Sequence, residues 1–116
     1  MTDLLADGIN FFNAGRYFEA HEAWEDLWRI TRGPLRLFYQ GLIQAAVGLH
    51  HLTHGNASGG RAQLMKSTAK LAQYPARFCQ IDNESLVKDL QEILKDGVIR
   101  PIIIVRGQKP VVQSEG

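Results

Sequence analysis

Apolar positions recur with a helical period along most of the chain. From about Asp3 to Asn13, Leu4, Leu5, Ile9, Phe11 and Phe12 fall at roughly helical spacing, and Ala14-Gly15 supplies a stop. A second helix is predicted from about Arg16 to Thr31. It closes at Arg32-Gly33-Pro34, where Gly33 suits a left-handed position and Pro34 the first turn of the next helix. The third helix runs from Pro34 to about His54, with Gly55 after it. "GNASGG" then reads as a turn, and Asn56 or Ser58 can cap a fourth helix that extends to about Tyr74 and ends at Pro75. A fifth, from Asn83 to Lys95, is amphipathic through Leu86, Leu90, Ile93 and Leu94, with Asp82 or Asn83 as cap and Gly97 as stop. Only "VIRPIIIV" reads as extended. Its four β-branched apolar residues after Pro101 are expected to lie across the bundle or against a partner. Residues 1–105 thus form one domain, and 106–116 read as a flexible tail.

A faint internal echo accompanies this order. "FFNAGRYFEAHEAW" and "LTHGNASGGRAQLM" both read as a helix end, a glycine and a small residue entering another helix, with Gly15 and Gly55 forty residues apart. Two packed helical hairpins would produce it. The first copy, with Gly15, Tyr17 and Ala20, also resembles half of a tetratricopeptide repeat, although a forty-residue offset is not that array's period. The expected fold is therefore all-α: a compact array of two packed helical hairpins plus a C-terminal helix and a short extended tail.

At about 100° per residue, Tyr17, Ala20, Trp24, Leu27 and Trp28 share an apolar arc of the second helix, while Glu19, Ala23 and Asp26 point away. His21 and Glu25 fall inside the aromatic arc, with Glu22 at its border. The third helix is apolar almost all round, which marks it as central, yet Arg36, Gln40, Gln44 and His51 fall within a stripe of roughly 60°. The short Arg32-Gly33-Pro34 link makes the pair an antiparallel hairpin, setting Glu25 near Gln40 and His21 near Gln44. Buried polar groups need partners, so the two seams are expected to satisfy each other. Gln amides would bridge the carboxylate and imidazole, and Arg36 would neutralise Glu22 or Glu25.

Composition narrows the classes. A chain of 116 residues, 45% hydrophobic and 22% charged, is the size of one globular domain that can bury its own core. A net charge of +1 gives no field to attract nucleic acid or an anionic membrane. "GLIQAAVGLHHL", the longest apolar stretch, is broken by Gln44 and two histidines, so no membrane span is expected. The single cysteine, Cys79, and a start without the basic-then-apolar layout of a signal peptide make the cytoplasm the expected location.

The polar seam is also where chemistry could sit. "HEAWE" has Glu25 where a zinc-protease helix carries its second histidine, so that motif fails as written, but His21 and Glu25 at i, i+4 could still be two metal ligands. A third would have to come from His51, His50 or Gln44. His51 lies about 10 Å along the axis from His21 in an antiparallel hairpin, too far for a shared coordination sphere unless the helices cross steeply. His50 and His54 form a second i, i+4 pair at the end of the third helix, where imidazoles also suit the negative end of the dipole. Arg29, Arg32 and Arg36 could hold a phosphate or carboxylate, or simply balance Glu25, Asp26 and that dipole. No Gly-x-Ser-x-Gly elbow or phosphate loop is present, and Cys79 beside Phe78 reads as a small buried group.

Taken in order, "FNAGRYFEAHEAWEDLW", "FYQGLIQAAVGLHH" and "GNASGGRAQLMKSTAKL" resemble a small all-helical family of unknown function, domain-of-unknown-function family 309. The likeness covers roughly Phe11 to Tyr74. The family's pattern falls on Gly15, Tyr17, Glu19, His21, Glu22, Trp24, Glu25 and Trp28, then on Gln40 to Gln44 and His51 or His50. The resemblance implies a compact array of helical hairpins and no established activity, substrate or cofactor. Gly60 departs from it, standing where the family tends to have alanine, which should weaken the start of the fourth helix. The expected protein is a non-catalytic module with a polar cluster of His21, Glu22, Glu25, Arg36, Gln40, Gln44 and His51, which binds a protein partner or a second copy of itself. The alternative is a metal-dependent or small-ligand enzyme using His21 and Glu25, the only reading that calls for a cofactor, a divalent metal.

Overall fold

The computed structural model describes residues 3–107. Five helices are present among them: α1 (Leu4–Asn13), α2 (Tyr17–Arg29), α3 (Leu35–Thr53), α4 (Ala57–Leu71) and α5 (Asn83–Asp96). Between α4 and α5 a minimal antiparallel hairpin pairs β1 (Arg77–Phe78) with β2 (Ile81–Asp82). α1, α4 and α5 are capped by a side chain at their N-termini, whereas α2 and α3 are not. Asp3 Oδ1 accepts from the Ala6 N–H, Asn56 Oδ1 from Gly59 and Asp82 Oδ1 from Ser85, satisfying donors that the first helical turn leaves open. Asn56 is thus the cap and Ser58 lies inside α4. At α5 the cap is Asp82, and Asn83 does something else. Its buried side-chain amide donates to the Leu71 carbonyl at 2.8 Å and the Pro75 carbonyl at 3.2 Å, tying α5 to the end of α4.

Helices adjacent in sequence pack in turn, α1 on α2, α2 on α3, α3 on α4 and α4 on α5. The echo between the two hairpins is structural. Gly15 and Gly55 both adopt left-handed backbone, φ 78° and 80°, and the residue after each donates back to an equivalent carbonyl, Arg16 to Phe11 and Asn56 to His51. α3 and α4 approach backbone to backbone. A Cβ on Gly60 would stand 2.8 Å from the Gly48 carbonyl oxygen, so the glycine that costs α4 helix propensity is what permits this contact. Trp24, Phe12, Phe38, Leu42, Leu49 and Leu64 fill the core, and Ser67 Oγ crosses from α4 to donate to the Gly41 carbonyl.

The hairpin β1–β2 carries no readable signal in the sequence. Its turn residues Cys79 and Gln80 both have positive φ, 53° and 61°, the backbone that Asn-Gly usually supplies. The extended segment lies on the protein's own core. Ile102 and Ile104 are each 2% exposed, while Ile103 and Val105 between and beyond them are more than half exposed. Its anchor is Asn13, whose side-chain Nδ2 donates to the Ile104 carbonyl at 3.0 Å and whose Oδ1 accepts the Ile104 N–H at 2.7 Å. One amide side chain thus takes the place of a neighbouring strand. Arg106 bridges to Ile81, and the Gly107 N–H donates to the Gln80 carbonyl, so packing continues two residues past the predicted boundary at 105. The rest of the expected tail, 108–116, lies outside the described residues. Replacing Asn13 by Ala removes both bonds. Amide exchange should rise by about 1–2 kcal/mol of lost protection across residues 102–106, with helical circular dichroism unchanged.

Candidate functional site

α2 and α3 position most of the residues singled out in the sequence, but not as one interlocked network. His21, on the half-buried flank of α2, bonds through Nδ1 with the Phe18 carbonyl at 3.3 Å, and its Nε2 lies 3.3 Å from Glu25 Oε2. This contact follows from the i, i+4 spacing. Glu25 turns its other oxygen to Arg29 at 3.4 Å, and Arg29 also reaches Asp26 at 2.8 Å. These pairs are well exposed, so each is worth at most about 1 kcal/mol. Glu22 is exposed and forms no ion pair among the described residues.

The expected bridging from α3 is not made. Arg36 does not reach Glu22 or Glu25; its guanidinium lies over the Trp28 ring, 3.6 Å from the centroid, with Nε buried and unpartnered. Arg29, already one turn from Glu25 on the same helix, takes that role, while the Trp28 face holds the Arg36 head group by cation–π attraction. Gln40 and Gln44 are half-buried, and no hydrogen bond among the described residues joins either to His21 or Glu25. The Gln44 Oε1 is buried without a partner. Nor does His51 complete a coordination shell with His21 and Glu25: no three His, Cys, Asp or Glu side chains converge as a metal site among the described residues.

What the fold assembles instead is an aromatic and imidazole pocket between α2 and the C-terminal half of α3. Tyr17, Phe18, His21, Val47, His50 and His51 line a cavity of about 270 Å³. Phe18, half exposed, stands between two imidazoles, with ring centroids 5.5 Å from His21 and 5.6 Å from His50. The row continues to His54, whose ring centroid lies 4.1 Å from that of His50. Burial holds the His50 imidazole below the usual histidine range. The neighbouring His54, His51 and His21 rings push the same way, and Glu19 opposes them. Tyr17, which forms the pocket's inner wall, has its phenol pushed up by burial. Phe18 and Val47 were not singled out by the sequence reading. The signal for them was their spacing: Phe18 sits three residues before His21, and Val47 three and four before His50 and His51, so each shares a helix face with imidazoles.

Cys79 is outside this site and inert. Burial pushes its thiol up, more than the Tyr39 phenol and Arg106 lower it, so nothing there generates a thiolate. No helix among the described residues is long and apolar enough to cross a membrane.

The pocket falls inside the part of the chain that matches a known family. Residues 5–62 match the family described as "Domain of unknown function (DUF309)". An "Uncharacterized protein" of Aquifex aeolicus (strain VF5) is 29% identical over 94 residues, which covers 80% of this chain and 28% of that relative. The chain therefore spans under a third of the length of the curated relative it matches. With half of its residues inside that match and the helical hairpins that the family resemblance implied, this chain belongs to the DUF309 family, whose function is unknown.

Proposed function

We propose that this is a cytoplasmic, non-catalytic interaction module whose working surface is the α2–α3 pocket, which receives one compact apolar side chain from a protein partner or a second copy of the chain. The observation that carries this reading is Phe18, half exposed beside a cavity of about 270 Å³ walled by rings and Val47. That volume suits a single ring or branched aliphatic group, at the small end of ligand pockets. An exposed aromatic next to such a space is how partner surfaces anchor one another. The apolar C-terminal segment supports self-association less, because Ile102 and Ile104 are already spent on the protein's own core. Phenyl and isobutyl fragments can stand in for the partner's side chain. Added at millimolar concentration, they should shift the NMR signals of Tyr17, Phe18, Val47 and His50. Val47→Phe, which fills the cavity from its wall, should abolish those shifts while leaving the melting temperature within a few degrees. Fragments that shift nothing in the pocket, or shift it equally in Val47→Phe, would overturn the reading.

One observation favours a small-ligand enzyme as the second reading. His21 meets an acceptor at each ring nitrogen, the Phe18 carbonyl at Nδ1 and Glu25 Oε2 at Nε2, and donates to one of them at a time unless the ring is protonated; an imidazole–carboxylate pair beside the pocket is of the kind that moves protons. It predicts a reaction lost in His21→Gln with fragment affinity retained.

A further inference from the structure

We propose that His50 and His54 form a paired-imidazole site for a borderline divalent transition metal, zinc, copper(II) or nickel(II), at the C-terminal end of α3. The two residues are one helical turn apart, and their ring centroids lie 4.1 Å apart with planes inclined by 32°. His54 Nδ1 lies 2.8 Å from the His50 carbonyl oxygen. A carbonyl can only accept, so Nδ1 carries the hydrogen and the lone pair of His54 sits on Nε2, which makes no hydrogen bond among the described residues. Metal-binding histidines are commonly oriented in this way, by a backbone carbonyl on the other ring nitrogen. His50 makes no hydrogen bond through either ring nitrogen among the described residues, so its lone pair is also free to ligate.

The surroundings select a cation. The last carbonyls of α3 give this end of the helix partial negative charge. Imidazole pairs suit zinc, copper and nickel, whereas magnesium and calcium require oxygen ligands. His51 belongs elsewhere. Its ring centroid is 6.2 Å from that of His50, and its Nδ1 faces the Asn56 amide nitrogen at 3.4 Å, a donor that occupies that lone pair. Two protein ligands leave the remaining positions to water or to a donor brought by a bound molecule. The site stands whether or not the neighbouring pocket takes a partner's side chain.

The test uses the full chain without a histidine tag, titrated with zinc, nickel and copper(II) chloride by calorimetry. Electron paramagnetic resonance of the copper form counts the nitrogens bound. One equivalent should bind with two nitrogen ligands, and His50→Ala and His54→Ala should each weaken binding by at least about tenfold. His21→Ala and His51→Ala should leave it unchanged, and magnesium should not bind. His54 is exposed at the end of α3 and lines no wall of the pocket, so His54→Ala keeps the fold and separates this site from the pocket. Binding unaffected by His54→Ala, or lost by equal fractions in all four histidine variants, would overturn the proposal.

Discussion

Trp24→Ala should lower the stability of the protein by about 3–5 kcal/mol, the largest loss expected from any single side chain. The indole is fully buried in the angle between α1 and α2, tilted against Phe12 with ring centroids 5.7 Å apart. Its Nε1–H donates to the Leu5 carbonyl at 3.2 Å, so α1 is held by a directional bond as well as by contact. Alanine removes the bond and leaves a void that a glycine-backed α1 cannot collapse to fill. The measurement is the shift in urea midpoint at constant slope. Trp24→Phe should restore part of the loss, because a ring refills most of the volume while the bond to Leu5 stays broken. A loss under about 1 kcal/mol for Trp24→Ala would contradict the packing described here.

Gly8→Ala is the sharper experiment because two effects of opposite sign compete. Helix propensity alone makes alanine better than glycine inside α1 by about 1 kcal/mol. A Cβ at this position, however, would stand 2.1 Å from Trp24 Nε1 and 2.4 Å from its Cδ1, distances no real contact allows. The indole is enclosed and rigid, so the helices must part. The clash should win, giving a net loss of about 1–3 kcal/mol. The sign should then reverse in a Trp24→Ala background, where the added methyl group enters the vacated space and only its propensity gain remains. A double-mutant cycle measures that reversal directly.

These effects trace back to how much of the molecule its sequence makes legible. Most element boundaries are readable because they are punctuated locally: Gly33-Pro34 between α2 and α3, Asn56 before α4, Asp82 before α5 and Gly97, left-handed at φ 71°, after it; the end of α4 is the exception, at Leu71 rather than the expected Tyr74. Trp24 could be placed in the core from its position on the apolar arc of α2. Information that depends on how two helices cross is not local in this sense. The Gln40 and Gln44 stripe was real as a stripe, but its expected partners on α2 were fixed only by residue counting from the turn. The actual crossing gives Arg36 the Trp28 ring and leaves Gln44 Oε1 without a partner. Burial along "PIIIV" had the same character. Which isoleucines turn inward is set by Asn13, 91 residues earlier in the chain, and no window of the local sequence contains it. The pocket was half visible: His21, His50 and His51 stand out as candidate metal ligands, whereas Phe18 and Val47 look like ordinary helix residues until the fold sets them around one cavity.

The Asn13 clasp also bears on the order in which the chain assembles. It joins residues 91 positions apart, in a protein whose helices otherwise pack against their immediate sequence neighbours. Neighbouring hairpins can form early because closing them costs little chain entropy, whereas a link of this span must wait until the bundle has brought its ends together. The last segment to dock is then the first to leave. During unfolding the bundle would pass through a species that keeps its helices but has already uncovered Ile102 and Ile104, and aggregation on heating would begin from that species.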